Sequence, residues 1–186
     1  ISESVHDDLT ATAYCFRQNG LTVLLISLTV CSIGDPLCGT LRDRIAEVCG
    51  LPRENCIIHA IHTHSGPILN PTTGWGVPDP AYLEGILIPG TVAAAKQACE
   101  GGVPVTMKIS RGESLVGINR RELRADNTIA LGQNPRGPFD PKMTVITFAG
   151  EDGKPVAHLI HYGCHGTAAG RNREISRDWA GVMIDA

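Results

Sequence analysis

The chain has no apolar run long enough to cross a bilayer as a helix. It has no block of Lys and Arg, and no stripe of alternating aromatic and basic residues. Those absences exclude a helical span and argue against a nucleic-acid partner. There is no GxSxG elbow, so Ser65 is discounted as a serine nucleophile. There is no CxxC, no internal repeat and no low-complexity tract. Carboxylates are sparse around the most concentrated polar feature. What remains is 186 residues with a net charge of −3 and a hydrophobic fraction of 42%. That is enough chain for one sizeable domain with a real core.

Seven cysteines are present: Cys15, Cys31, Cys38, Cys49, Cys56, Cys99 and Cys164. Several lie inside apolar runs, where a free thiol behaves as a small hydrophobe. An odd, unpatterned set favours a reducing compartment over a disulfide framework, so a cytoplasmic location is expected. The chain opens at Ile1 without Met or a basic leader, and closes in a helix-like segment at Ala186. Both ends read as cut, which makes part of a longer polypeptide the expectation.

The most informative stretch is Ile61-His62-Thr63-His64-Ser65-Gly66-Pro67. It follows the apolar Cys56-Ile57-Ile58. Read as a strand over 55–62, it places His62 and His64 on one face, and Gly-Pro then turns the backbone. His59 falls on the other face and reads as structural. A second cluster, His161 to Thr167, also follows an apolar strand-like run. By the same parity His161 and His165 share a side, and His158 faces away. Imidazoles gathered at strand ends point to a transition-metal site, and zinc catalysis needs such ligands plus an open position. The metal brings the pKa of water toward neutrality, and a neighbouring group relays the proton.

The remaining pattern is α/β. Residues 10–17 read as a strand, Gln18-Asn19-Gly20 as a hairpin turn, and 21–32 as a buried strand. A helix is expected over 36–49, with Leu41, Ile45 and Val48 at helical spacing and Gly50 as C-cap. Strand, helix and strand then make a parallel βαβ unit. Residues 66–78, with Trp75, form a long loop that suits a substrate-facing lid. A helix over 79–100 starts at Asp79-Pro80 and is broken or kinked at Pro89-Gly90. Strands are expected at 103–110, 143–148 and 155–161, the last two joined by a hairpin through Gly150 to Lys154. The predicted fold class is α/β: a layered sandwich with a mixed β-sheet flanked by helices, part of a larger domain. Asp178 reads either as an acceptor for a ligand imidazole or, with Ser176, as a helix N-cap. Arg120 and Arg121 read either as oxyanion donors or as a solvated loop. A nucleophilic Cys164 is disfavoured because nothing marks its thiolate as stabilised.

Taken in order, these motifs resemble a known family. His62-Thr63-His64-Ser65-Gly66-Pro67 resembles the HTHSGP motif of the neutral/alkaline ceramidases. Val5 to Leu9, Gly117 to Arg121, His165 to Thr167 and Ser176 to Gly181 resemble further family segments in the same order. The resemblance implies that 1–186 is a single domain, the first half of a ceramidase-like catalytic domain. It implies a zinc-dependent amidase in which His62 and His165 bind Zn2+, His64 is a catalytic partner and Arg120 holds substrate or oxyanion. The family's Glu and Tyr ligands lie well downstream, so the site would be completed by the rest of the polypeptide or by a second chain. The expected substrate is a small-molecule or lipid amide, ceramide or another N-acyl compound. The family also offers a secreted location as the alternative. Two other readings stay open: a non-catalytic subunit that keeps the fold, and a TIM-barrel amidohydrolase. The barrel is disfavoured because it needs about 250 residues and all-parallel strands.

Overall fold

A two-residue turn opens the first sheet. Asn19 and Gly20 both take positive φ, 51° and 78°. Two successive left-handed residues match the twist of a tight hairpin. They join β2 (Ala11–Gln18) to β3 (Leu21–Leu28) in antiparallel register, with Gln18 opposite Leu21. The computed structural model describes residues 2–186 and divides into two units, residues 2–102 with 166–186, and residues 103–165.

In the first unit, β3 runs parallel to β4 (Cys56–Ala60) through the crossover helix α1 (Asp35–Cys49). The three-stranded sheet β2-β3-β4 is therefore mixed, as expected. Leu24, Ile26 and Leu28 alternate along β3 and are essentially without exposed surface. Leu41 and Ile45 of α1 are equally buried, each contributing roughly 1.5–3 kcal/mol. Val48, expected on the same face, stands 46% exposed in the last turn. Gly50 caps α1 in the left-handed region at φ 63°. Asp79 Oδ1 accepts the Ala81 N–H at the start of α2 (Pro80–Tyr82). A π-helical turn over Leu83–Leu87 leads into α3 (Ile88–Glu100). The expected break at Pro89 is this wider turn: the proline ring clashes with the carbonyl four residues back, and a π turn relieves it. A short ladder pairs β1 (Ser4–Val5) with β10 (Glu174–Ile175), which precedes α4 (Asp178–Asp185).

In the second unit, β5 (Thr106–Glu113), β8 (Lys142–Ala149) and β9 (Pro155–Tyr162) form an antiparallel sheet. The β8–β9 hairpin is the expected one. The sequence reading does not contain the separate hairpin of β6 (Asn119–Leu123) and β7 (Ile129–Asn134). Its strands carry too many polar residues to show an apolar alternation. The sheets are open and partly antiparallel, which removes the TIM-barrel reading.

Candidate metal centre

The strand parity predicted for His62 and His64 does not operate, because β4 ends at Ala60. The chain turns instead at His62, whose φ of 71° lies in the left-handed region. That conformation costs a residue with a Cβ roughly 1–2 kcal/mol. Main-chain bonds hold the turn: Ile61 N–H donates to Leu28 O and His62 N–H to Val30 O, both at 3.0 Å. The rings converge all the same. Their Nε2 atoms lie 3.3 Å apart, and the ring planes stand edge to face at 88°.

His62 Nδ1 is 2.6 Å from the Cys31 carbonyl oxygen. A carbonyl only accepts, so Nδ1 carries the proton and Nε2 presents its lone pair. A main-chain carbonyl behind a ligand imidazole is the usual way its orientation and tautomer are held. Cys31 Sγ, His62 and His64 offer three ligand atoms within 4.8 Å of one another. Burial pushes the Cys31 thiol up. Treating cysteines as small hydrophobes misses Cys31. The available signal was its place just beyond β3, the strand parallel to the one leading into the HxH.

A cavity of about 330 Å3 opens beside these residues, lined in part by Cys31, His64, Pro67, Leu69 and Trp75. The Trp75 ring sits 5.4 Å from that of His64. The loop expected as a lid therefore borders His64. A larger cavity of about 530 Å3, lined largely by apolar residues such as Leu37, Leu83 and Ile88, shares Leu69 and Asn70 with it.

The other motif residues of this unit build a frame. Thr63, fully buried, donates from Oγ1 to Ser176 O at 2.8 Å and accepts the Ser65 N–H at 3.2 Å. Ser176 N–H donates to Ser65 O at 2.8 Å. Thr63 bridges Gly166, and His64 N–H donates to Gly166 O at 3.1 Å. Asp178 uses its carboxylate on the Ala168, Ala169 and Trp179 N–H groups, at 2.8–3.0 Å. Its role is thus to clamp the loop after Gly166, and the imidazole-acceptor reading is not what this geometry contains. Ser176 Oγ accepts the Asp178 N–H at 2.9 Å, but the N-cap of α4 is Arg177, without a side-chain cap bond, so neither Ser176 nor Asp178 is the cap that the alternative expected.

Arg177, 9% exposed, binds Asp7 through Nε at 2.6 Å and Asp185 through its terminal nitrogens. Burial alone would raise the Asp7 carboxyl, but hydrogen bonds from Ser176 and Arg177, with the guanidinium charge, hold it below the usual range. A carboxyl depressed in the folded state stabilises above its ordinary pKa, and that contribution fades as pH falls through the folded value. Asp7→Asn is therefore expected to lower stability at pH 7 by about 2 kcal/mol. It should also flatten the loss of stability below about pH 4, read from denaturant midpoints across pH.

In the second unit, Arg120 and His165 come together. Arg120 lies where the β6–β7 register shifts, between Asn119 and Arg121. Such a bulge re-aims a side chain, and Arg120 Nη2 reaches His165 Nδ1 at 2.9 Å. The loop before β6 is fastened by Tyr162, whose hydroxyl donates to Ser114 O and accepts the Gly117 N–H, both at 2.9 Å. Arg121 is exposed on the hairpin and is not part of the pair. His158 contacts Thr147 Oγ1 at 3.0 Å, and His161 sits exposed on β9.

No family model and no curated protein sequence matches the chain. Solved structures do. Neutral ceramidase from Pseudomonas aeruginosa superposes with a TM-score of 0.73 at 19% identity, covering 96% of this chain and 30% of the ceramidase. A structure described as a ceramidase complexed with C2 gives 0.74 at 20% identity, covering 96% and 29%. The chain thus spans less than a third of the length of the ceramidases it matches, and its fold is that of a segment of neutral ceramidase.

Proposed function

We propose that the chain is the histidine-bearing part of a metal-dependent hydrolase of N-acyl amides, with ceramide-like lipids as the substrate class. The observation that carries this reading is the convergence of His62 and His64 at 3.3 Å, with the His62 tautomer held by Cys31 O. Two imidazoles with a thiol at hand suit zinc. His62 and His165 would hold the ion, and residues of the remaining polypeptide or of a second chain would complete its shell. Bound zinc would supply Lewis acidity toward the amide carbonyl and make water acidic near neutral pH. His64, beside the Nε2 of His62, is placed to move a proton. The largely apolar cavity, which shares Leu69 and Asn70 with the one His64 lines, supports an acyl chain as part of the substrate. No helix is long and apolar enough to cross a membrane among the described residues.

Element analysis of the complete polypeptide should find zinc, and His62→Ala or His165→Ala should remove it together with hydrolysis of N-acyl substrates. A folded, complete polypeptide that holds no metal sinks this reading and leaves the non-catalytic subunit.

Arg120 gives a finer test. Its guanidinium only donates, so His165 Nδ1 must accept. An ion on either ring nitrogen competes with that bond: one takes the lone pair, the other needs the tautomer reversed. Arg120 would then be released toward a developing oxyanion. Arg120→Gln should bind zinc about fivefold more tightly yet lower kcat about a hundredfold. Loss of both together would make Arg120 only a support for His165.

A further inference from the structure

A group of thiols lies away from the histidines, in the first unit. Cys15 on β2, Cys49 at the end of α1 and Cys99 near the end of α3 all pack against the core. Cys99 Sγ lies 3.7 Å from Cys15 Sγ. Cys49 borders the same cavity as Cys99.

The approach of Cys15 to Cys99 is held in place. Residues 15 and 17 share a face of β2. Arg17 uses that face to donate from Nη1 to Gly101 O at 3.1 Å and from Nη2 to Cys99 O. A cation on the last carbonyls of a helix answers both their unmet hydrogen bonds and the helix dipole. The strand is thus tied to the helix one residue pair from the two sulfurs. A cavity of about 370 Å3, bordered by Arg17, Cys49, Asn55 and Cys99, gives small molecules a route to Cys99.

We propose that Cys15 and Cys99 are a disulfide-forming pair, closed by a small-molecule disulfide such as oxidised glutathione. Cys99 thiolate attacks one glutathione sulfur, forming a mixed disulfide and releasing one glutathione thiolate. Cys15 thiolate then attacks the Cys99 sulfur and releases the second. The two cysteines lose two electrons and two protons, and one glutathione disulfide becomes two thiols. Burial raises the thiols of both cysteines, so the reaction is slow near neutrality and quickens in alkali. That behaviour belongs to a structural cross-link more than to a rapid sensor.

The full chain treated with oxidised glutathione at mildly alkaline pH should lose two hydrogens by intact mass. Non-reducing peptide mapping should join Cys15 to Cys99. The bond closes a long loop, so the melting temperature should rise by about 5 °C or more and return on reduction. Cys15→Ser should stop at the Cys99 glutathione adduct, and Cys49→Ser should leave the link intact. Arg17→Gln should slow closure at least about fivefold without slowing capture at Cys99. A wild-type chain whose Cys99 stays a thiol, stays capped by glutathione, or joins Cys49 overturns the proposal. The wild-type map decides this even if a variant fails to fold.

Discussion

Replacing His62 with glycine should abolish zinc binding at the proposed site and leave the fold intact. The residue sits at φ 71°, where glycine is at ease and any side chain is strained. Relief of roughly 1–2 kcal/mol offsets the lost hydrogen bond to Cys31 O, worth about 1 kcal/mol. His62→Gly should therefore melt within a few degrees of the parent while zinc affinity falls at least about a hundredfold. His62→Ala should lose the same affinity and also unfold at a lower temperature, because it keeps the strain and drops the bond. Calorimetric titration with zinc and thermal melts on the three proteins separate the two effects. If His62→Gly binds zinc as the parent does, the ion does not use this ring. Strain at a residue whose side chain does the work is a common arrangement at functional sites.

Gly166→Val is expected to be the most damaging single change to the frame. A Cβ at this position would lie 2.6 Å from His62 O and 3.0 Å from Thr63 Cα. Both neighbours are main chain, so neither can swing aside. Thr63 is fully buried and held at its hydroxyl, which leaves the motif no room to retreat. Overpacking of this kind costs about 3 kcal/mol, and the His62–His64 geometry should be lost with it. Gly166→Ala should show most of the same loss, since the first carbon already clashes. Gly163→Ala serves as the control, since its Cβ would meet nothing within 4 Å. Denaturant midpoints for the three variants test this directly, and a Gly166→Ala protein as stable as the parent would disprove the close approach.

Much of the first unit was written in short-range signals. Gln18-Asn19-Gly20 announced a tight hairpin, and two positive φ values carry it out. The 3.6-residue spacing of Leu41 and Ile45 announced α1, and Gly50 its end. Asp79-Pro80 announced the start of the next helix. These patterns are local because turns, caps and helical faces are decided within a few residues. The histidine pair was legible as a pair, but for the wrong reason. A period of two presumes a strand, and the strand stops two residues before His62. The β6–β7 hairpin was illegible for a related cause. Asn119-Arg120-Arg121-Glu122 has no apolar alternation, and its pairing is made by register and turn instead.

The motif residues that read as chemistry divide once their contacts are known. Asp178 clamps amides, Arg177 and Asp7 form an ion pair under Gly181, and Thr63 ties two distant segments. The Thr63 and Arg177 bonds join residues 113 and 170 positions apart, beyond any sequence window, and even the Asp178 clamp, whose partners lie nine and ten residues away, shows no periodicity that would announce it.

The sequence by itself determined the α/β class, the parallel crossover between β3 and β4, the capped helices and the histidines around which any metal chemistry must be built. Tertiary structure alone decided that His62 turns through a left-handed backbone, that Cys31 stands behind it, that a bulge aims Arg120 at His165, and that Cys15 meets Cys99. Periodicity and turn chemistry act through neighbours along the chain, whereas these four arrangements arise from packing and pairing between segments far apart in it.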